Sequence, residues 1–254
     1  MKSLQDKVVL VTRPADRTDR LVRTLAERGA VPLVAPAIEL LPARAAPIDE
    51  ALRELRAGEF AWIVLTSPAT VDELAARIRG APRFPARVAA VGEGTADAFR
   101  RWSGSPPDLS PRTFTTAALA RAFPRGSGRV LCARADVAPA GLEDALAAKG
   151  WTPLRVTAYR TRLVRSLPKQ AREALRSGRV DAVTFTSAST VRGFVGAVEH
   201  VRGAPKVICI GPVTAREARD HGLIVHAVAR PHTVDGLVAG VERALGRRRS
   251  ARVR

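Results

Sequence analysis

The chain has 254 residues, 46% of them hydrophobic, and a formal net charge of +18 at pH 7. This composition supplies a buried core for one large or two small domains and excludes a globally disordered chain. No run of about 18 apolar residues is present, and residues 1–7 lack the apolar segment of a secretory signal, so we expect a cytoplasmic protein without membrane contact. Cys132 and Cys209 lie inside apolar runs and are predicted to be buried thiols rather than a disulfide or a metal site.

The positive charge has two explanations that the composition does not separate. Only five of the 42 cationic residues are lysine, which is typical of a base-composition bias toward arginine, whereas a basic surface also suits a polyanionic ligand. The charge is spread along the chain except in the arginine-rich segment 247–254, which is predicted to be a solvated tail. Aromatic residues make up 4% of the chain and do not alternate with basic residues, so nucleic acid is not favoured as a partner.

Short apolar strands alternate with helical patterns from the start of the chain. The predicted strands of the first half cover residues 7–12, 31–36, 62–65 and 88–91. Apolar residues at helical spacing follow the first strand up to Gly29, close a helix over 52–58, and follow the third strand over 71–78. The proline-containing stretches 37–47 and 102–111 are predicted to be connections without regular structure.

The second half of the chain repeats the first. Residues 62–71, a strand that leads into hydroxyl side chains and then into a helix, are matched by residues 182–191 at an offset of 120. Residues 88–96 are matched by 207–215 at an offset of 119. Five segments in all keep one offset within three residues, which indicates an internal duplication. We therefore predict two parallel α/β domains with helices on both faces of each sheet.

Polar residues collect in the loops that follow the predicted strands, which is where ligands bind to open parallel sheets. Helices begin directly after most of these loops, and their free backbone N–H groups and partial positive charge suit carboxylates or phosphates. The candidate ligand-binding residues of these loops are Arg13, Thr66, Ser67, Thr95, Arg134, Ser187, Ser189 and Thr214. An N-cap role explains several of the hydroxyls equally well, so both roles stay open. The residues concerned are Ser67, Thr95, Ser187 and Thr214.

Signatures of the common cofactor and metal sites are absent from the sequence. Residues 92–94 form only a fragment of a dinucleotide fingerprint, and neither a phosphate-binding Gly-x-x-x-x-Gly-Lys sequence nor a Gly-x-Ser-x-Gly elbow is present. The four histidines lack the spacing of metal ligands on one helix face. We therefore expect no metal and no cofactor, and a cleft of hydroxyls, arginines and backbone amides that suits a polyanion.

A series of short motifs extends along nearly the whole chain. The motifs are Val11-Thr12-Arg13-Pro14, Leu65-Thr66-Ser67-Pro68-Ala69-Thr70-Val71, Val91-Gly92-Glu93-Gly94-Thr95-Ala96, Val156-Thr157-Ala158-Tyr159-Arg160-Thr161, Phe185-Thr186-Ser187-Ala188-Ser189-Thr190-Val191, Ile210-Gly211-Pro212-Val213-Thr214-Ala215 and Thr233-Val234-Asp235-Gly236-Leu237. In this order and spacing they resemble the uroporphyrinogen-III synthase family. The resemblance implies two flavodoxin-like domains joined by a two-stranded hinge, with the active site in the cleft between them. It places residues 1–37 and 163–254 in one domain, residues 42–158 in the other, and linkers at 36–41 and 156–162.

The resemblance also implies a reaction. A lyase of this family closes hydroxymethylbilane, a linear tetrapyrrole with acetate and propionate groups on each ring, to uroporphyrinogen III, with ring D inverted through a spiro intermediate. Tyr159, the single tyrosine of the chain, matches the family's tyrosine that helps the hydroxyl leave, although packing at the domain junction explains a buried tyrosine as well. The loop hydroxyls match positions that would bind substrate carboxylates, and Arg13 and Arg134 are the cationic candidates.

The resemblance also has implications for the oligomeric state and the partners of the protein, and the sequence leaves one alternative function open. The resemblance implies a monomer of tetrapyrrole biosynthesis, leading to haem, sirohaem or cobalamin, that contacts hydroxymethylbilane synthase transiently. The alternative is a synthase-like regulatory module without turnover, which binds an anionic ligand or, through its arginine-rich tail, nucleic acid. The sequence contains no recognisable DNA-binding helix pair, which favours the enzyme.

Overall fold

The computed structural model describes residues 2–14 and 19–246. The chain forms two compact units. Unit 1 comprises residues 1–39 and 162–254, and unit 2 comprises residues 40–161. The arginine-rich segment 247–254, predicted to be a solvated tail, lies outside the described residues.

Strands and helices alternate through the described chain. The strands are β1 (Val8–Val11), β2 (Val31–Val34), β3 (Ile38–Pro42), β4 (Trp62–Leu65), β5 (Arg87–Ala90), β6 (Arg129–Ala135), β7 (Thr152–Leu163), β8 (Ala182–Phe185), β9 (Lys206–Cys209) and β10 (Val225–Val228). The helices are α1 (Asp19–Glu27), α2 (Ala45–Arg56), α3 (Pro68–Arg77), α4 (Glu93–Ser103), α5 (Thr116–Ala122), α6 (Gly141–Ala147), α7 (Lys169–Arg176), α8 (Ala188–Ala197), α9 (Pro212–Asp220) and α10 (Val234–Leu245). None of these helices is long and apolar enough to cross a membrane.

The sheet of unit 1 has the strand order β10-β9-β8-β1-β2, and its neighbouring strands pair in parallel. Counted along the chain within the unit, this is the order 2-1-3-4-5 that is found in flavodoxin-like sheets. Successive residues of β1 belong to different cores: Leu10 packs with residues of α7, α8 and α9, whereas Val9 and Val11 pack with residues of α1 and α10. The period of two along the strand therefore supplies one apolar face to each helical layer.

The sheet of unit 2 has the order β3-β7-β6-β4-β5, in which β7, β6, β4 and β5 pair in parallel. A parallel bridge between Ala89 and Leu109 continues the sheet beyond β5. Ile63 of β4 packs with residues of α2, α3 and α4, and Trp62 packs with residues of α5 and α6. The prediction of an α/β fold with parallel sheets and helices on both faces is therefore confirmed within each unit.

The central strands are buried on both faces, which explains why they read as continuous apolar runs. All residues of β4 and of β8 are buried. Cys132 on β6 and Cys209 on β9 are fully buried free thiols, as predicted.

Two stretches predicted to be connections contain regular structure. Residues 37–47 include β3 and the start of α2, because Pro42 is the last residue of the strand and Pro47 is the third residue of the helix. A proline is tolerated there, since the N–H groups of the first turn have no intrahelical acceptor. Helix α4 continues into the second stretch and ends only at Gly104, whose φ of 79° gives a left-handed cap.

Candidate functional site

Two helices of unit 2 begin side by side at the carboxyl end of the sheet. Neighbouring strands β4 and β5 pair up to Leu65 and Ala90, and α3 and α4 follow them after short loops. A β-carbon placed on Gly94 would lie 3.7 Å from Cγ of Pro68, so the first turns of the two helices are in close contact. Because each helix presents unbonded backbone N–H groups at this end, the edge favours an anionic ligand.

A cluster of three hydroxyl groups lies at the start of α3. Ser67 is the N-cap residue, and its Oγ accepts a hydrogen bond from the backbone N–H of Thr70 at 3.2 Å. The same Oγ lies 3.1 Å from Oγ1 of Thr70 and 3.1 Å from the phenol oxygen of Tyr159. Thr70 is fully buried, and Tyr159 is 9% exposed.

A register change in β7 accompanies the position of Tyr159. Arg134 of β6 pairs with Thr157, whereas the next residue, Ala135, pairs with Tyr159, so β7 contains one additional residue between these pairs. Such bulges alter the direction in which the following side chains point. The backbone oxygen of Tyr159 accepts a hydrogen bond from the N–H of Asp136 at 3.1 Å, which holds the strand beyond the bulge.

The matching helix of unit 1 starts with a closed capping box. Ser187 is the N-cap of α8 and accepts from the N–H of Thr190 at 3.2 Å, while Oγ1 of Thr190 accepts from the N–H of Ser187 at 3.2 Å. The hydroxyl of Thr190 donates to the backbone oxygen of Ser187 at 2.7 Å. Ser189, in the first turn of α8, accepts a hydrogen bond from Arg192, and Arg192 in turn pairs with Glu217 at 3.0 Å.

The N-cap explanation is correct for two of the four hydroxyl residues and wrong for the other two. Ser67 and Ser187 cap their helices as predicted. Thr95 and Thr214 are instead the third residues of α4 and α9, which begin after glycine caps that make no side-chain hydrogen bond. Gly92, the cap of α4, has a φ of 85°, a conformation that glycine adopts without strain.

Several predicted binding hydroxyls have unused hydrogen-bonding capacity. Within the described part of the chain, the side chains of Thr66, Thr95 and Thr214 make no hydrogen bond, and the hydroxyl hydrogen of Ser187 has no acceptor. Thr95 and Thr214 are largely buried, whereas Thr66 and Ser187 are half-buried. Each of these hydroxyls therefore has a hydrogen to donate to a ligand at the carboxyl end of its sheet.

The two candidate arginines differ in their surroundings. Arg13 follows β1 and is half-buried. Arg134 is 2% exposed, and its Nη1 donates to both carboxylate oxygens of Glu143, at 2.9 and 2.7 Å, and to the backbone oxygen of Pro139 at 2.8 Å. The charge of Arg134 is thus neutralised inside unit 2, and this pairing favours a structural role over a contact with a ligand.

The described residues contain no group of three or more histidine, cysteine, aspartate and glutamate side chains that could hold a metal ion. Both thiols are unsuited to nucleophilic or ligand roles. Burial raises the pKa of Cys132 to about 12, with a further contribution from the Glu143 carboxylate. Burial likewise raises the pKa of Cys209 to about 12. Because the thiolate is the reactive form, neither cysteine reacts at neutral pH.

Thr70 is the residue of this site that sequence reasoning missed. The signal was present, because Ser67 and Thr70 have the Ser-x-x-Thr spacing of an N-cap and the third helical residue. The contact with Tyr159 had no such signal, since 92 residues separate it from Ser67.

Fold and site together define a parallel α/β protein with a candidate anion site of hydroxyls and helix N-termini at the carboxyl ends of its strands. Comparison with known proteins identifies the family within this class. The family described as uroporphyrinogen-III synthase HemD matches residues 19–239. The chain belongs to the uroporphyrinogen-III synthase family, and the prediction of this family is confirmed.

Individual relatives agree with this assignment. The chain is 28% identical over 252 residues to a uroporphyrinogen-III synthase of Synechococcus elongatus, covering 93% of this chain and 94% of the relative. It is 29% identical to the porphyrin biosynthesis protein HemD of Ruminiclostridium josui, with 93% of this chain matching 48% of that longer protein. A mutant uroporphyrinogen III synthase of the extremely thermophilic bacterium Thermus thermophilus shares the fold, with a TM-score of 0.65 at 23% identity over 94% of this chain and 98% of that one.

Proposed function

We propose that this protein converts hydroxymethylbilane into uroporphyrinogen III, as a lyase of tetrapyrrole biosynthesis. Membership of the synthase family supports the reaction class. The observation that carries the proposal for this chain is the buried phenol of Tyr159, hydrogen-bonded to Ser67 beside the N-terminus of α3. A phenol in this position is a proton donor placed where helix N-termini attract an anionic substrate.

In the proposed reaction, Tyr159 gives its proton to the terminal hydroxyl of the substrate, the C–O bond breaks, and water leaves. The resulting azafulvene cation is attacked by the substituted carbon of ring D, which forms the spiro intermediate. Fragmentation and reclosure invert ring D, and the phenolate recovers a proton from the ring system. One water is released and the oxidation state does not change, so no redox partner is required.

The substrate carboxylates would be bound by hydroxyl donors and by the free N–H groups of helix N-termini. The side chains that have a hydrogen to donate are Thr66, Thr95, Ser187 and Thr214. We retain Ser189 and Arg13 as further binding residues, although Ser189 already accepts from Arg192. Arg134 is not included among the substrate contacts, because it is only 2% exposed and the Glu143 carboxylate neutralises its charge.

Selection between isomers requires little energy. The substrate closes unaided to the type I isomer, so the enzyme has to favour the type III product over this competing reaction. A product ratio of about 100 to 1 corresponds to about 2.7 kcal/mol between the two transition states. Holding the substrate in one folded conformation supplies a difference of this size.

The isomer assay tests the proposal. Purified protein mixed with hydroxymethylbilane is expected to yield the type III isomer, as resolved by chromatography after oxidation to the porphyrins. Tyr159→Phe, which removes the proton donor and keeps the ring, is expected to lower the rate of type III formation by about 100-fold. Type I product alone from the unmodified protein would remove the enzymatic function.

We further propose that units 1 and 2 are domains that arose by internal duplication, with residues 36–41 and 156–162 as a hinge. In support, the order β2-β1-β8-β9 in unit 1 has its counterpart in β7-β6-β4-β5 of unit 2, through the segments that repeat in sequence. A hinge predicts slower hydrogen exchange in both segments when uroporphyrinogen III is present. Unchanged exchange there would count against it.

The proposed setting is the cytoplasm, with the protein acting as a monomer that receives its substrate from hydroxymethylbilane synthase. A transient contact with that enzyme is reasonable because the free substrate closes to the wrong isomer. Sedimentation of the protein alone and with the synthase tests both the monomeric state and the contact.

A further inference from the structure

The hydrogen-bond partners of Thr70 determine the direction in which its hydroxyl points. Its side chain is fully buried, and within the described part of the chain its only hydrogen-bond partner is Oγ of Ser67, at 3.1 Å. A buried hydroxyl whose hydrogen has no acceptor is unfavourable. Thr70 therefore donates its hydrogen to Ser67.

The number of hydrogen bonds that the Ser67 hydroxyl can make then determines the direction of its bond with Tyr159. A serine hydroxyl has two lone pairs and one hydrogen. The lone pairs accept from the backbone N–H of Thr70 and from its hydroxyl. The remaining contact of Ser67 is the phenol oxygen of Tyr159 at 3.1 Å, so Ser67 donates its hydrogen to that oxygen.

We infer that Thr70 and Ser67 form a chain of hydrogen-bond donors that fixes Tyr159 as the proton donor of the site. The phenol oxygen accepts from Ser67, so its own hydrogen is directed to a different acceptor. This inference rests on the proposed function, in which that acceptor is the departing hydroxyl of the substrate. Ser67 and Thr70 act through Tyr159 and are positioning residues.

The same local sequence in unit 1 does not produce such a chain. Thr190 also follows its N-cap serine by three residues, but its hydroxyl donates to the backbone oxygen of Ser187 rather than to the serine side chain. The donor chain is thus not an automatic result of the Ser-x-x-Thr spacing. It occurs at the helix whose N-cap contacts the tyrosine.

The arrangement stabilises the charge that develops when the proton leaves. A negative charge on the phenol oxygen strengthens the bond from Ser67 and shortens it toward the range of about 2.5–2.7 Å that is typical of hydroxyl–oxyanion bonds. The present separation of 3.1 Å leaves room for this change. The partial positive charge at the start of α3 acts in the same direction.

The inference assigns Ser67 a role different from substrate binding. Its single hydrogen is used by Tyr159 and both lone pairs by Thr70, so its side chain has no hydrogen for a substrate carboxylate. Ser187 has the opposite character, since its hydroxyl hydrogen has no acceptor among the described residues.

Substitution of Thr70 tests the donor chain. Thr70→Val keeps the shape of the side chain and the backbone N–H bond to Ser67 but removes the first donor. We expect kcat for type III formation to fall by about fivefold, the kinetic equivalent of one ordinary hydrogen bond, with KM unchanged. Thr70→Ser restores the hydroxyl and is expected to restore kcat, whereas a purely structural role would not separate kcat from KM in this way.

A control separates this effect from lost stability. Val130→Ala removes buried methyl groups at the opposite end of β6, so it is expected to destabilise unit 2 at least as much while leaving kcat unchanged. If Thr70→Val does not fold, Thr70→Ala removes the same donor without adding a methyl group at the position of the oxygen. If Thr70→Val or Thr70→Ala has the same kcat as the unmodified enzyme, the donor chain is refuted. If the unmodified protein forms no type III product, the proposed function itself is refuted.

Discussion

Replacing Glu143 by leucine is expected to destabilise unit 2 by about 3 kcal/mol or more. Glu143 holds Arg134 through bonds of 2.9 and 2.7 Å, and Arg134 is 2% exposed. Removal of the carboxylate leaves a guanidinium charge inside the unit with only the backbone oxygen of Pro139 as a partner among the described residues. An uncompensated buried charge is costly because neither water nor a counterion solvates it.

A double substitution shows that the loss comes from the charge. Arg134→Met combined with Glu143→Leu replaces the buried pair by apolar side chains of similar length, a change that is often neutral or stabilising. We therefore expect the double variant to recover to within about 1 kcal/mol of the unmodified protein. The single variant Arg134→Met leaves the carboxylate unpaired and is expected to lie between the two.

Tryptophan fluorescence is a suitable measurement, because Trp62, Trp102 and Trp151 are the only tryptophans and all belong to unit 2. Two of them pack against the ring of Phe123, at centroid distances of 4.8 and 5.8 Å, so unfolding of the core changes their surroundings. Urea titration of the three variants yields the free-energy differences from the shift in midpoint.

Kinetics of the same variants separate the structural role of Arg134 from substrate binding. A structural role predicts that the double variant has the KM of the unmodified enzyme. A KM raised by about tenfold in a double variant of normal stability would refute the reasoning, because it would place the guanidinium on the substrate. A single variant, Glu143→Leu, as stable as the unmodified protein would refute it equally.

Three further predictions concern packing, ionisation and substrate binding. Gly193→Ala is expected to destabilise unit 1 by about 1–3 kcal/mol, since its β-carbon would lie 2.0 Å from the backbone oxygen of Ala37. In the same helix, the β-carbon of Gly196→Ala meets nothing within 4 Å, so this substitution should stabilise unit 1 by about 0.5–1 kcal/mol. Thermal unfolding followed by circular dichroism compares the two variants. Burial raises the pKa of Cys132 and Cys209 to about 12 in the folded protein, whereas both thiols ionise near pH 9.0 when the chain is unfolded. The free energy of unfolding is therefore expected to fall as the pH rises above 9.0, by about 1.4 kcal/mol per thiol at pH 10. Replacing both cysteines by alanine should abolish this part of the pH dependence measured in urea titrations. Ser187→Asp keeps an N-cap acceptor but places a negative charge where a substrate carboxylate is proposed to bind. KM should therefore rise by about tenfold while the stability stays nearly unchanged. An unchanged KM would remove this residue from the binding site.

The alternation of strands and helices was predictable because it depends on local patterns. The apolar runs that became β4 and β8 are buried along their whole length, and the residues that follow them have the hydroxyls and spacing of helix starts. Prolines misled the prediction at residues 37–47, where Pro47 lies inside the first turn of α2. A proline in the first turn of a helix has the same sequence signal as a proline in a loop.

The candidate site was predictable in its location and less so in its roles. Strand ends in a parallel sheet gather the loop residues at one edge, so Thr66, Ser67 and Thr95 were expected there. Whether Arg134 turns outward or pairs inside depends on Glu143, nine residues further along the chain. No periodicity relates these residues, since the intervening loop sets their contact.

The two copies of the Ser-x-x-Thr sequence show why roles within the site cannot follow from local sequence. Ser67 and Ser187 cap their helices with nearly the same backbone dihedral angles. What differs is the residue available to the cap: Ser67 lies 3.1 Å from the phenol oxygen of Tyr159, whereas the sequence counterpart of Tyr159, 121 positions earlier, is Ile38, which has no polar side-chain atom. The phenol takes the hydroxyl hydrogen of one serine, and the other serine keeps its hydrogen for a ligand. In the proposed duplication, a single tyrosine therefore assigns proton donation to one copy of the motif and carboxylate binding to the other.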